Sequence, residues 1–355
     1  MRLRSVTVGC LALTAACSDG RMRTGTGGAA TGGAAAGGVA GTAAGGTGGP
    51  AAGGAGGVGS IDGGPTILTV DAGAPTTLAT GAPADIAVDA THVYWTDQQA
   101  KTVMKVPKSG GAAIALASGQ GTMRGLAVDA TNAYWTRSGD GLVMKVPLVG
   151  GTPIAIASQQ LTPNSVAVDS TSVYWANEGA NWPGTGAVMK ASLATGETVT
   201  LADKLDNPAA LAVDAISVYW TEVGENAHGN IARLPLAGGA VEWIAAAERP
   251  GAVAVGAGNV YWSTSSLQTG GRIMKMALAG GTATPLLIAS HSFSRLVADA
   301  ASLYCPEGHA ILRFAADGSG VAALPTEGSP ARLAVDETHI YFTTAEGAVM
   351  VMAKP

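Results

Sequence analysis

The feature that most constrains this chain is a tyrosine that returns seven times at nearly even spacing. Tyr94, Tyr134, Tyr174, Tyr219, Tyr261, Tyr304 and Tyr341 are all the tyrosines of the 355-residue sequence, and they are separated by 40, 40, 45, 42, 43 and 37 residues. Each stands five residues after the end of a short apolar motif: Ile86-Ala87-Val88-Asp89, Leu126-Ala127-Val128-Asp129, Val166-Ala167-Val168-Asp169, Leu211-Ala212-Val213-Asp214, Val253-Ala254-Val255-Gly256, Leu296-Val297-Ala298-Asp299 and Leu333-Ala334-Val335-Asp336. A period near 40 that holds several short β-rich runs and no helical periodicity predicts the blades of a β-propeller, because one such unit cannot bury both of its faces alone.

One unit parses into four strands: Ile86 to Asp89 innermost, His92 to Thr96 second, Val103 to Pro107 third and Ile114 to Ala117 outermost, with turns such as Ala90-Thr91 and Ser109-Gly110-Gly111-Ala112 between them. Small alanines in the first strands suit the convergence of inner strands on an axis, and Tyr and Trp suit the widening space between blades. The seventh copy stops at Pro355 without a fourth strand, while Pro75 to Thr80 carries a fourth-strand pattern ahead of the first copy. The expected fold is therefore all-β, a seven-bladed β-propeller whose N-terminal strand closes the last blade and removes two exposed edges.

Composition divides what precedes the repeats. Of 52 glycines, 20 fall in the 47 residues from Ser18 to Gly64, a stretch nearly devoid of Leu, Ile and aromatics. Such a segment has too little apolar surface to offset the entropy of ordering it. It reads as a disordered tether with a span on the order of 35–40 Å. Glycine without a three-residue period excludes collagen. Upstream, Arg2 and Arg4 precede an apolar stretch from Val6 to Ala16, which covers only about 16 Å as a helix against a hydrocarbon core of ~30 Å. Residues 1–16 thus read as a secretory signal, not a span. The organisation expected is a signal at 1–16, a lipidated Cys17 and Gly/Ala/Thr-rich linker at 17–64, and the propeller at 65–355. Cys10, Cys17 and Cys305 are the only cysteines, so processing would leave Cys305 alone, and a buried inert thiol is expected there.

Two resemblances add to this. Leu13-Thr14-Ala15-Ala16-Cys17 resembles a bacterial lipobox, with Thr14 where Leu is usual. Leader and tether together are similar to those of exported Gram-negative lipoproteins, and Ser18 in place of an inner-membrane Asp implies display at the outer membrane or cell surface. Tyr94-Trp95-Thr96-Asp97 spells the YWTD motif of low-density-lipoprotein-receptor class B repeats, and residues 73–355 resemble bacterial YWTD/NHL-like propellers. Later copies diverge, as in Tyr134-Trp135-Thr136-Arg137 and Tyr174-Trp175-Ala176-Asn177, and receptor propellers have six blades. The resemblance implies a fold and no ligand.

Positions that recur in every blade read as scaffold. These are the Asp series from Asp89 to Asp336 and the third-strand cations Lys105, Lys145, Lys190, Arg233, Lys275 and Arg313, although a ring of cations for an anionic partner is the other reading. His92 and His339 share one turn position. Positions that break the repeat are more informative. Second-to-third-strand connections and fourth-to-first-strand connections share one face, and the former are enlarged at 177–187, 222–230 and 263–271. That face is expected to hold Glu178 and Trp182, then Glu222, Glu225 and His228, and further round His291 and His309. Arg124, Arg249, Arg295 and Arg332 lie at its first-strand entrances. Trp182 is a candidate aromatic anchor or a cover for its own loop. The mixed His, Glu and Arg rim suits a carbohydrate, an anion or a metal, and equally suits an ordinary polar loop surface.

Formal net charge is −5, and removal of Arg2 and Arg4 would leave 18 basic against 25 acidic residues, or −7. No basic run exists to drive counterion release, so nucleic acid is excluded as an expected partner. HExxH, GxSxG and CxxC spacings are absent, and no catalytic residue, metal site or cofactor is assigned. The reading favoured is a surface-displayed lipoprotein with a monomeric binding domain for a protein or glycan, touching the membrane through its lipid alone. The alternatives are an enzyme resembling the metal-dependent seven-bladed streptogramin-inactivating lyases, with a histidine base, and a scaffold subunit of an envelope assembly.

Overall fold

A computed structural model of the chain describes residues 58–60, 66–70, 72–180, 183–224, 228–266, 270–289 and 292–355. The segments read as signal peptide and, for the most part, as tether, with Cys17 between them, lie outside the described residues. Every described element is a strand. Seven sheets follow one another, and in each the first three strands pair antiparallel in chain order. Blade one consists of Pro83–Val88, His92–Asp97, Thr102–Pro107 and Ile114–Ala117; blade four, for comparison, of Pro208–Val213, Ser217–Glu222, His228–Pro235 and Glu242–Glu248.

The ring closes as the repeat count requires. Thr76–Thr80 pairs antiparallel with Ala348–Ala353, supplying the fourth strand of blade seven, so the last sheet joins both ends of the propeller sequence. Blade six gains more than was expected. Thr66–Thr69 runs parallel to its outer strand, with Leu68 opposite Ala322, and Val58–Ser60 pairs with Thr66–Thr69 in turn, a short strand inside the stretch read as tether.

Why these residues form blades is visible in the burial pattern. Trp95, Trp135, Trp175, Trp220 and Trp262 and all seven tyrosines are fully buried. The core is a series of clusters bridging neighbouring blades: Trp135 of blade two packs with Tyr94 and Val103 of blade one, and Trp220 of blade four with Tyr174 and Val188 of blade three. Each large aromatic buries about 150–250 Å². At ~25 cal/mol per Å² this is on the order of 4–6 kcal/mol of gross transfer free energy per ring, before ordering entropy is subtracted. Cys305 occupies a Trp position, wholly buried and unpaired, and burial pushes its thiol pKa up, as an inert thiol requires.

The repeated polar residues hold the face formed by first-to-second and third-to-fourth turns. Asp89 Oδ1 accepts the amides of Thr91 at 2.6 Å and His92 at 2.7 Å, and its Oδ2 accepts the Tyr94 hydroxyl at 2.6 Å. The same carboxylate-to-tyrosine bond joins Asp129 to Tyr134, Asp169 to Tyr174, Asp214 to Tyr219, Asp299 to Tyr304 and Asp336 to Tyr341. One side chain therefore closes a turn and satisfies the only polar atom of a buried ring. Burial, joined by the neighbouring carboxylate, pushes the hydroxyls of Tyr174, Tyr219 and Tyr304 up to about 12. Blade five departs, for Gly256 replaces the Asp. A Cβ there would lie 2.8 Å from the Asp299 carbonyl and 2.9 Å from the Ala298 Cβ, so only glycine fits, and the Tyr261 hydroxyl instead donates to the Ala316 carbonyl at 3.4 Å and accepts Asn259 Nδ2 at 3.2 Å.

The third-strand cations fasten blades to one another. Lys105 donates to the Leu148 carbonyl at 2.7 Å, Lys190 to Leu236 at 3.3 Å, Arg233 to Leu278 at 2.6 Å and Lys275 to Ala316 at 3.3 Å, each acceptor belonging to the next blade. Where Val351 interrupts the series, the charge comes from a neighbour: Lys108 of blade one sits 2.7 Å from Asp336 and over the Tyr341 ring. Lys354 does the same for Asp299 and Tyr304. These contacts give Lys105, Lys190, Arg233, Lys275 and the Asp series scaffold roles.

Candidate functional site

The first strands begin earlier than the apolar motif. In five blades a β-bulge sits ahead of it, between Pro83 and Asp85, Met123 and Leu126, Pro163 and Val166, Pro208 and Leu211, and Pro330 and Arg332. A bulge re-aims side chains and bends the strand. Its backbone is held from the second strand: the amides of Asp85, Gly125, Ala210 and Ala252 donate to the hydroxyls of Thr96, Thr136, Thr221 and Ser263. The third residue of the YWT motif thus serves the bulge, not a ligand.

The residue immediately before the apolar motif reaches sideways to the next blade. Asp85 Oδ2 accepts the Leu126 amide at 2.8 Å, Ser165 Oγ accepts the Leu211 amide at 3.2 Å, and Arg332 Nε donates to the Ala84 carbonyl at 2.8 Å. Around the ring this position reads Asp85, Gly125, Ser165, Ala210, Ala252, Arg295 and Arg332. The column two residues after the Trp position varies too, through Asp97, Arg137, Asn177, Glu222, Thr264, Glu307 and Thr344. Charge gathers on blades six, seven and one, where Asp85 is 2% exposed and Arg295 3%. Burial pushes the Asp85 carboxyl up, opposed by Arg332, 4.0 Å away, and by Arg295. One residue further out, Arg124 is half-buried and Asn164 is 1% exposed, its Nδ2 donating to Glu178 Oε1 at 2.7 Å and its Oδ1 without a partner.

The structure distributes the expected site residues unevenly. Arg295 and Arg332 meet at Asp85, and Arg124 follows on the adjacent strand, whereas Glu178 bonds Asn164 in blade three. Glu222 is buried and occupied: it accepts the Asp206 amide at 2.5 Å and Asn230 Nδ2 at 3.3 Å, which fixes the connection entering blade four, and burial raises its pKa. Asp97 plays that part in blade one, accepting the Ala82, Gln99 and Ala100 amides, so the last residue of the YWTD motif anchors connections. His228 is not in a connection but opens a strand, exposed and opposite Glu248. His309 is exposed in the tight turn of blade six. Trp182, Glu225 and His291 lie outside the described residues. Asp85 and Asn164 escape a sequence search that starts at the apolar motif. The signal that finds them is a proline opening the first-strand region in five blades, two residues ahead of the position before the apolar motif, at Pro83, Pro163, Pro208, Pro250 and Pro330.

Elsewhere, a cavity of about 360 Å³ lies between the outer strand of blade four and blade five, lined by Glu248, Trp262, Thr264, Arg272 and Met274 among others. Trp243 on that outer strand is half exposed and meets Trp220 edge-on at 6.5 Å. Among the described residues no group of three or more His, Cys, Asp or Glu side chains is placed to hold a metal ion, and no helix is long and apolar enough to cross a membrane.

No known protein-family model matches the chain, and no curated protein matches it. Solved structures do. A chain from the nidogen/laminin complex is 19% identical with a TM-score of 0.51, covering 65% of this chain and 91% of its own. A computationally designed protein is 11% identical with a TM-score of 0.58, covering 84% and 95%. A gluconolactonase from Xanthomonas campestris is 16% identical with a TM-score of 0.47, covering 79% and 98%. At these identities the first two establish likeness of fold alone.

Proposed function

We propose that the protein is an exported, lipid-tethered binding module whose ligand face is the one carrying the first-strand entrances. One observation carries this reading: the residue before the apolar motif differs from blade to blade on that face, with charge on three consecutive blades that is buried at Asp85 and Arg295 and partly buried at Arg332, while the opposite face repeats its contacts almost unchanged. A scaffold needs repetition, and recognition of one ligand needs the symmetry broken. The propeller seen in the nidogen/laminin complex supports a role in binding for this architecture.

The address rests on Arg2, Arg4 and the Leu13-to-Cys17 segment, with the tether holding the propeller clear of the membrane. Cys17→Ser is expected to move the protein from the membrane to the soluble fraction, and a variant that stays with the membrane contradicts the anchor. For the face, immobilised protein is incubated with labelled envelope polysaccharide and protein fractions. Capture by the wild type and its loss in Arg124→Glu, with an unchanged melting temperature, is the expected result. Equal capture by both forms removes the face from the account.

A further inference from the structure

Resting on the binding reading above, we infer that the first-strand mouth recognises an acidic saccharide, its carboxylate met by Arg124 of blade two and its hydroxyls by Asn164 and Glu178 of blade three. Arg124 stands at the first-strand entrance of blade two, between the Asp85, Arg295 and Arg332 group of blades one, six and seven and the Asn164–Glu178 pair of blade three.

The arginines are not equivalent. Arg332 is committed to the Ala84 carbonyl and to Asp85, and Arg295 Nη1 donates to the Ser294 carbonyl and acts on Asp85. Arg124 forms no hydrogen bond or ion pair among the described residues, although it is half-buried. It stands on the strand between the two polar groups of the mouth. Two residues after it, the Leu126 amide is bonded to Asp85, and Gly125, the next residue, lies so close to blade three that a Cβ would be 2.7 Å from the Asn164 carbonyl. A half-buried guanidinium without a partner has a fork of donors to offer, and a planar carboxylate matches that fork.

Asn164 supplies the second, independent requirement. Its Oδ1 is buried and accepts nothing, a costly condition unless a donor arrives. Glu178, which holds its Nδ2, adds carboxylate oxygens able to accept hydroxyls. Inorganic phosphate carries a P–OH that can donate, but its charge is spread over every remaining oxygen and is repelled by Glu178, whereas a uronate confines its charge to one end. A neutral sugar leaves Arg124 without its counter-charge. A uronic acid satisfies both groups at once.

The test is calorimetric titration of the full chain with oligogalacturonate, the matched neutral galactose oligomer and inorganic phosphate, for wild type, Arg124→Ala and Arg124→Lys. Expected are binding of the uronate, little or none of the other two, loss of about tenfold or more in affinity in Arg124→Ala, and partial recovery in Arg124→Lys. Melting temperatures should stay unchanged, because Arg124 supports no other residue. Phosphate or the neutral oligomer binding as well as the uronate overturns the inference, as does uronate binding indifferent to Arg124. If envelope material is captured through this face while uronate fails at millimolar concentration, the ligand class is wrong and the binding face stands.

Discussion

The two faces of the ring are built from the same seven strand sets and obey different rules. On the face of the first-to-second turns, six of seven blades join an Asp to a Tyr by one bond, and cations pass from blade to next blade. Departures there are compensated within the scaffold, Gly256 by close packing and Val351 by Lys108. On the opposite face the equivalent inner position passes from Asp to Gly, Ser, Ala and Arg, and its contacts to the next blade change with it, from the Asp85 carboxylate to the Ser165 hydroxyl and the Arg332 guanidinium. The difference teaches that a repeated position reports on folding even when it is charged, and that a position that refuses to repeat reports on use.

The largest expected effect breaks the ring itself. Deleting residues 73–82 removes Thr76–Thr80 and exposes the edge of Ala348–Ala353, and should lower the melting temperature by about 10 °C or more; an unchanged melt contradicts closure. Next comes Gly256→Asp, which copies the common residue into blade five. Sequence averaging predicts stabilisation there, but the close approach of Asp299 and Ala298 predicts destabilisation by about 1–3 kcal/mol, read by denaturant unfolding. Tyr304→Phe removes one carboxylate bond, at about 1 kcal/mol or 2–4 °C.

That last variant also has a pH signature. A tyrosine whose pKa is raised on folding contributes stability fully below its unfolded value of about 10, and that contribution is lost as pH climbs toward about 12. Tyr304→Phe should therefore flatten the alkaline limb of the stability profile. At the acid end, burial acts to raise Asp336, but Lys108, the Thr338 amide and Tyr341 outweigh it and hold the carboxyl well below the usual range. Its contribution is present above about pH 4 and is lost as pH falls. Smallest is Lys105→Met, which removes one half-buried inter-blade bond and should cost under about 1 kcal/mol.

Blade number, closure and the scaffold role of the Asp and Lys columns were legible in the sequence because each rests on a residue type recurring at a fixed interval. The tyrosines mark the second strands, and their burial follows from size alone. The mouth was legible only in part. Arg124, Arg295 and Arg332 could be placed at strand entrances, but Asp85 and Asn164 could not, because a bulge shifts the pairing by a residue and an alternation argument breaks there. Glu222 looked like a site residue from its loop position, and only its bond to the Asp206 amide shows what it holds. The parallel strand at Thr66–Thr69 had no sequence signal, since its pairing with Ala322 spans most of the chain.

The account's central claim is that one face binds and the other supports, and capture from labelled envelope fractions by two charge reversals tests it most directly. Arg124→Glu alters the mouth, and Glu197→Lys alters an exposed turn of the opposite face. The account predicts that Arg124→Glu loses capture while Glu197→Lys retains it, with both melting like the wild type. Loss in Glu197→Lys with full capture by Arg124→Glu would contradict it.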